Sequence, residues 1–223
     1  MELIMDLMPA LLRGAGVSLQ LALYSTLIGA VLAFASGIGK LSRIAPVRWL
    51  SLTYVEIFRG TSLMVQMFWL FFALPIIGIR LDPMVAGVTA LSLNIGAYGA
   101  EVIRGALQAV PAGQREAVTA LNMDSRHALW HVYIPQALPE MMPTFGNLVV
   151  QNLKNTALAS LITLTDLTFA AQNLRNLTFQ TVPIYTLTLV MYFVMSLILI
   201  ALMNLLERVI RRRTGNLVEG ARS

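Results

Sequence analysis

The chain contains no cysteine. That excludes a disulfide framework, a thiolate zinc site and thiol chemistry. Charge is scarce as well: Asp, Glu, Lys and Arg make up 12% of the 223 residues, where an ordinary soluble domain carries about 25%. So few charged groups cannot cover a water-soluble globule of this size. An intrinsically disordered chain is excluded too, and no nucleic-acid partner is expected although the formal charge is +5. What is abundant is apolar: 57% of residues are hydrophobic and the mean hydropathy is +0.72. A lipid bilayer is the solvent that this composition fits. A cleaved signal peptide is not expected, because no basic stretch precedes the first apolar run and that run is too long for an h-region.

A helix crossing a hydrocarbon core of roughly 30 Å needs about 20 mostly apolar residues. Five segments meet that condition, at about 14–38, 60–79, 83–103, 142–162 and 184–206. The predicted fold is all-α, one polytopic transmembrane bundle over residues 1–223. Lys40, Arg43 and Arg48 follow the first segment, Arg104, Arg115 and Arg126 the third, and Arg208, Arg211, Arg212 and Arg213 the fifth. The opposite loops hold only Arg80 and Arg175. Because cytoplasmic loops collect lysine and arginine, the N-terminus, with Glu2 and Asp6 against Arg13, is expected outside and the C-terminus inside. Gly29, Ala33 and Gly37 share one helical face and would let a neighbouring backbone approach. Pro75 should kink or end the second segment. Glu56 with Arg59, and Glu101 with Arg104, are three apart and read as structural pairs at the inner boundary.

About forty residues separate the third and fourth segments, many more than the usual connection of about 4–6. Gln114 to Leu121 is helical in composition. Asn122 tolerates a left-handed corner, and Asp124 or Ser125 can cap a second short helix. That helix carries Ala128, Leu129, Val132 and Tyr133 on one side and should stop at Ile134, before Pro135. Pro139 and Pro143 would then lead back to the membrane. Glu116 could lock the corner through Arg126.

Glu116-Ala117, the corner at Asn122 and Ile134-Pro135-Gln136-Ala137-Leu138-Pro139 resemble the "EAA" loop of permease subunits of bacterial ATP-binding-cassette importers. The match departs at Val118, usually alanine, and at Asn122, usually glycine. Phe58-Arg59-Gly60-Thr61-Ser62-Leu63 with Gln66, Gly96-Ala97-Tyr98 through Glu101, Arg104-Gly105, Gly113-Gln114, and Lys154-Asn155-Thr156 with Leu158-Ala159-Ser160 are similar to the polar amino-acid uptake branch. That branch imports histidine, glutamate, glutamine, arginine, opines and ectoines, and Val55 to Phe72 is most similar to ectoine and hydroxyectoine permeases. The resemblance implies five spans in the bacterial inner membrane. It implies a cytoplasmic ATPase dimer that binds the ATP, a second permease copy or sister, an external solute-binding protein and a small polar solute.

Within loop 111–139, the resemblance makes Arg115, Glu116, Ala117, Asn122, Met123, Asp124, Pro135 and Pro139 the residues expected at the ATPase, with the apolar face of the second helix beside them. Asn147, Gln151, Lys154 and Thr156 are polar residues at membrane depth, and Asp166 could meet an ammonium group; together they form the expected solute path. Such groups normally face protein or water. No cofactor, metal or catalytic set is expected in the chain itself. His127 and His131 have the spacing of zinc ligands but lack the accompanying glutamate, and Gly37-Ile38-Gly39-Lys40 lacks the remaining residues of a phosphate loop. The alternative reading is a stand-alone channel or ion-coupled carrier.

Overall fold

The computed structural model describes the backbone of residues 2–219 and the side chains of residues 8–212. The side chains of Glu2, Asp6 and Arg213, invoked above for orientation, lie outside those described. The described residues are predominantly helical and contain no strand. Helix α1 (Glu2–Lys40) is followed by α2 (Ala45–Gly60), then by α3 (Leu63–Phe68), which runs on through a π turn (Trp69–Ala73) and a 3₁₀ turn (Leu74–Ile77). Helix α4 (Pro83–Ala109) leads to a hairpin of α5 (Ala112–Ala120) and α6 (Ser125–Ala128). A second π turn (Leu129–Tyr133) joins α6 to α7 (Ile134–Asn155), which tightens into a 3₁₀ turn (Thr156–Ile162). Short α8 (Leu167–Thr178) and long α9 (Thr181–Glu219) complete the chain.

Met8–Lys40 and Thr181–Arg212 are each long and apolar enough to cross a bilayer alone. The second expected segment, 60–79, is not one straight helix. Its apolar path is shared by α2, which the sequence places in a cytoplasmic loop, and by the run Leu63–Ile77, which meets α2 at 103°. The fourth segment also begins earlier than expected. Pro135 does not stop the helix, and Pro139 and Pro143 lie inside α7. The π turn accounts for the first of these. Ile134 donates its N–H to the carbonyl of Leu129, five residues back, and this wider turn gives room to the proline that follows. The same device precedes Pro75, where the N–H of Leu74 reaches the carbonyl of Trp69; the helix then ends at Gly78, whose φ is +92°.

The core lies along the contact of α1 with α4. Ala33, Ile103, Ala106 and Leu107 are buried there together with Ala137 and Met141 of α7. The small-residue stripe on α1 is what lets the two backbones close. A Cβ on Gly37 would stand 2.9 Å from the carbonyl oxygen of Ala100, and one on Gly29 would stand 2.3 Å from Ile95 Cγ2. At the inner end, Lys40 pairs with Glu101, which also accepts from Arg104 at 2.8 and 2.9 Å. The expected pair of Glu101 with Arg104 is therefore present with α1 attached to it. Glu56 and Arg59 do not pair; Arg59 instead stacks on Tyr98.

Two further ties hold α7 and α8 to α1. Asn152 donates to Ser25 Oγ at 2.7 Å and Thr26 Oγ1 at 3.0 Å. The backbone N–H of Leu167 donates to Ser18 Oγ at 3.1 Å.

The α1–α4 seam predicts opposite outcomes for two glycines of α1. Gly37→Ala drives a methyl against the Ala100 backbone and should destabilise the detergent-solubilised chain by about 1–3 kcal/mol, read as a lower thermal midpoint. Gly16 has nothing within 4 Å of the added atom. Gly16→Ala should hold or raise the midpoint, because alanine favours helix over glycine by up to about 1 kcal/mol. Equal shifts for the two would refute the close packing at Gly37.

Candidate functional site

A chain that interrupts a helix frees carbonyl groups that must find other partners. The break after α2 shows how this sequence meets that demand. Thr61 and Ser62 are extended, with φ of −116° and −70°. Thr61 Oγ1 donates to the carbonyl of Ile57 at 2.7 Å. The Phe58 carbonyl accepts from Gln66 Nε2 and from Asn94 Nδ2, each at 3.1 Å. Gln66 Nε2 also reaches Thr61 Oγ1 at 2.8 Å. The run Phe58 to Leu63 with Gln66 is thus a helix break together with its own cap, and α4 supplies the third donor. Gln66 Oε1 is buried and has no partner.

Beside this break lies a cavity of about 620 Å³, bounded by the extended segment, α4 and α7. Its polar lining is Thr61, Ser62, Asn94, Tyr98, Gln151, Asn152 and Asn155, with Leu63, Ile95, Leu148 and Leu158 among the apolar walls. No carboxylate lines it. The lining residue Tyr98 carries a cation on its ring: the guanidinium of Arg59, outside the lining itself, sits 5.2 Å from the ring centroid. Gln151 Nε2 donates to Asn155 Oδ1 at 3.2 Å, so the two amides act as one exposed polar surface. Hydroxyls, amides and one nearby cation can bind a carboxylate and several neutral polar groups at once.

Of the expected path residues, Gln151 lines this cavity. Asn147 faces a separate small crevice shared with Asn204 and Glu207 of α9. Thr156 is fully buried and donates to the Leu153 carbonyl at 2.7 Å, capping the end of α7 rather than facing solute. Lys154 is exposed on the last turn of α7 and does not line the cavity. Asp166 is 0% exposed. Its carboxylate is the N-cap of α8, accepting from the N–H of Phe169 at 2.9 Å and of Thr168 at 3.2 Å, and from Tyr192 Oη at 3.3 Å. Burial pushes this carboxyl up to about 6 against the pull of those donors. The role that the geometry assigns to Asp166 is therefore structural. Asn94 and Tyr98 are not among the expected residues, although Tyr98 stands in one of the quoted motifs and Asn94 is an amide in the apolar middle of α4.

The hairpin 111–133 is built as a rigid unit. Asn122 has φ of +49°, the left-handed corner expected of it. The N–H of Met123 donates to Val118 O and the N–H of Asn122 to Thr119 O, a Schellman closure with asparagine where glycine is commonest. Asp124 caps α6 through the N–H of Arg126 at 3.0 Å. Val118 is buried, whereas Glu116 and Ala117 are exposed.

Glu116 does not reach Arg126. The fastening group is Arg115, whose Nη2 donates to the carbonyl of Gln108 at 2.7 Å, holding α5 to the end of α4. Gln136 Nε2 donates to Gln114 Oε1 at 3.2 Å and ties the hairpin to the first turn of α7. On the apolar face of the second helix, Ala128 is buried, Val132 is half-buried, and half-buried Leu129 and Tyr133 pack against the core on one side. What stands outward is Glu116 with Ala120, and Leu121, 73% exposed at the tip. His127 and His131 stack with ring centroids 3.9 Å apart on the outer surface.

Residues 25–213 match the sequence profile of the family "Binding-protein-dependent transport system inner membrane component". The chain is 56% identical over 217 residues to Probable amino-acid ABC transporter permease protein y4tF of Sinorhizobium fredii, covering 95% of this chain and 91% of that one. It is 35% identical to L-cystine transport system permease protein TcyB of Bacillus subtilis, covering 94% of this chain and 88% of that one. Among solved structures it superposes on the crystal structure of an amino acid ABC transporter with histidines, with a TM-score of 0.86, 34% identity and coverage of 92% and 96%.

The cap at Asp166 separates a structural role from contact with solute. Asp166→Ala should lower stability by about 0.5–2 kcal/mol, the usual loss on removing an N-cap. Asp166→Asn keeps an acceptor for the Phe169 N–H and should retain both most of that stability and solute uptake. Uptake lost in Asp166→Asn at unchanged thermal midpoint would show instead that the charge itself meets solute.

Proposed function

The chain belongs to the binding-protein-dependent transport system inner membrane components, and from that membership we propose that it carries a small polar zwitterion across the membrane through the cavity beside Thr61. It is an amino-acid ABC transporter permease, a multi-pass inner-membrane transport component and not an enzyme, and it works with an ATPase and a binding protein. The observation that carries the proposal is the cavity's lining. It offers amides and hydroxyls and no acidic group, and one of its walls, Tyr98, carries the Arg59 guanidinium on its ring. Such a site suits a carboxylate-bearing solute of no net charge, with its ammonium group met by amide and hydroxyl oxygens. The names of the relatives support the amino-acid class. The likeness of Val55 to Phe72 to ectoine permeases extends the proposal to ectoine and hydroxyectoine, which are zwitterions of similar size.

The coupling proposed here is mechanical. ATP binding on the partner would move the outward side of α5, with Glu116 and Leu121 as contacts and Met123 beside them. Arg115, the Schellman closure and the Gln114–Gln136 bond support motion of the hairpin as one body. Helix α7 continues from that body without an intervening loop and carries Gln151 and Asn155 at the cavity. Rocking of the hairpin would thus reach the solute-facing amides directly.

Five spans with the N-terminus outside and the C-terminus inside remain the proposed topology. α4, 27 residues long, is sufficient in length for a span although its inner end is charged. Glu140, Asn147, Gln151 and Lys154 form an exposed polar stripe on α7. A charge such as Lys154 normally faces protein or water, which supports a second permease, a copy or a sister, across this face and two ATPase subunits below.

In the reconstituted importer, Glu116→Lys should abolish solute-stimulated ATP hydrolysis while the subunit still inserts. Arg59→Met should raise the KM for a carboxylate-bearing solute about 10- to 100-fold, since a hydrogen bond to a charged group contributes roughly 1.5–3 kcal/mol. Arg59→Lys should recover part of that loss. An unchanged KM in Arg59→Met would remove the carboxylate from this end of the cavity.

A further inference from the structure

A second cavity, of about 780 Å³, opens between the end of α1, the connection into α2 and the hairpin. Its walls are apolar, with Ile38, Ile44, Leu107 and Leu129 among them. Three guanidinium groups, those of Arg43, Arg115 and Arg126, stand around it, and no acidic residue lines it. Of the carboxylates on adjoining elements, Glu101 is paired with Lys40 and Arg104 and Asp124 with the backbone of α6, while Glu56 and Glu116 are exposed and do not line the cavity. Arg115 is held by carbonyls of α4. The side chains of Arg43 and Arg126 have no partner among the described residues.

The surroundings indicate what would fill such a site. Trp130 lines it and is 59% exposed, and Trp49, on the first turn of α2, is 65% exposed. Indole rings collect where hydrocarbon meets headgroups. Leu41, Ile44, Val47 and Leu50 are exposed in succession, so an apolar strip runs from the cavity mouth along the outside of α2. Guanidinium forks fit phosphate oxygens two at a time. A soluble anion would satisfy the arginines and leave the strip bare; an acyl chain would cover it.

We propose that this cavity binds an anionic phospholipid of the cytoplasmic leaflet, its phosphate between Arg43 and Arg126, its glycerol region against Trp130, and an acyl chain along Leu41, Ile44 and Val47. The lipid then bridges the first connection and the hairpin that faces the ATPase. Leaflet charge thereby bears on the element through which the transporter is driven. The site is separate from the solute cavity and does not depend on which solute is carried.

The test uses the full chain carrying Trp49→Phe and Trp69→Phe, which leaves Trp130 as its sole tryptophan, in nanodiscs of phosphatidylcholine with a minority of phosphatidylglycerol. Bromine is placed on the acyl chains of one lipid or the other, and quenching of Trp130 is measured per mole of brominated lipid. Two basic side chains beside an anionic headgroup should enrich phosphatidylglycerol at the site on the order of tenfold, so its quenching should exceed that by phosphatidylcholine. Arg43→Gln with Arg126→Gln should bring the two lipids level, and Arg43→Lys with Arg126→Lys should keep most of the excess. Equal quenching in the parent chain, or none by either lipid, overturns the proposal. So does an excess that survives the glutamine pair, or one lost equally in the lysine pair.

Discussion

Backbone carbonyls freed where a helix breaks need other donors, and the break between α2 and α3, which bend by 103° within an apolar path, depends on how those donors are supplied. A sharp turn there frees the carbonyls at the end of α2. Thr61, Gln66 and Asn94 supply the donors that make the turn tolerable. The cavity exists because of the same turn: a straight helix would fill the space with its own side chains, whereas an extended Thr61-Ser62 withdraws from α4 and α7 and leaves polar atoms facing the gap. Asn94 is consequently both a structural donor and a wall of the site. Replacing it would remove a cap and a lining group together, so its effect on transport alone would not separate the two roles.

A second constraint operates at the hairpin. Proline lacks the N–H that an α-helix needs and crowds the preceding turn, yet the chain between α6 and α7 is continuous through Pro135. The π turn at Leu129–Tyr133 absorbs the conflict before the proline is reached. A loop at this point would let the hairpin move independently of the membrane helix. A wide helical turn keeps the two in line, which is what a push from outside the membrane requires. The buried side of the hairpin, Ala128, Leu129 and Tyr133, anchors it to α1 and α4, and its exposed side is left for the ATPase proposed to dock there.

These two places also show where the sequence could be read and where it could not. Long uncharged runs identify α1 and α9, the four-residue spacing of Gly29, Ala33 and Gly37 identifies a close-packing face on α1 though not the helix that meets it, and Asn122 with Asp124 or Ser125 identifies the corner and its cap. All of these are local signals, carried within a few turns of chain. Helix α2 was hidden because Arg48, Glu56 and Arg59 give it the charge of a loop, while its apolar faces are recognisable only once α4 and the bilayer are both in place. Pro135 misled for a related reason: the rule about proline is a rule about α-helices, and nothing in the sequence announces a π turn. Asp166 looks in the sequence like a charge free to meet a ligand, and in the fold its carboxylate is occupied by the start of α8.

Lys154 is the residue for which single-chain geometry and membrane physics pull hardest against each other. It is exposed at the end of α7, beside Gln151 and Asn155 and on the same outward stripe as Asn147. The carbonyl end of a helix favours a cation there, which explains why the position tolerates lysine but not why the side chain is uncovered. Lipid is the poorest neighbour it could have. The cavity beside Thr61 is likewise bounded by α7, through Gln151 and Asn155, so the face that lacks cover borders the cavity proposed for solute. One additional membrane subunit packed across α7 would resolve both deficits, shielding Lys154 and closing the open side of the cavity. The second permease proposed above is the neighbour that would answer both deficits with one surface.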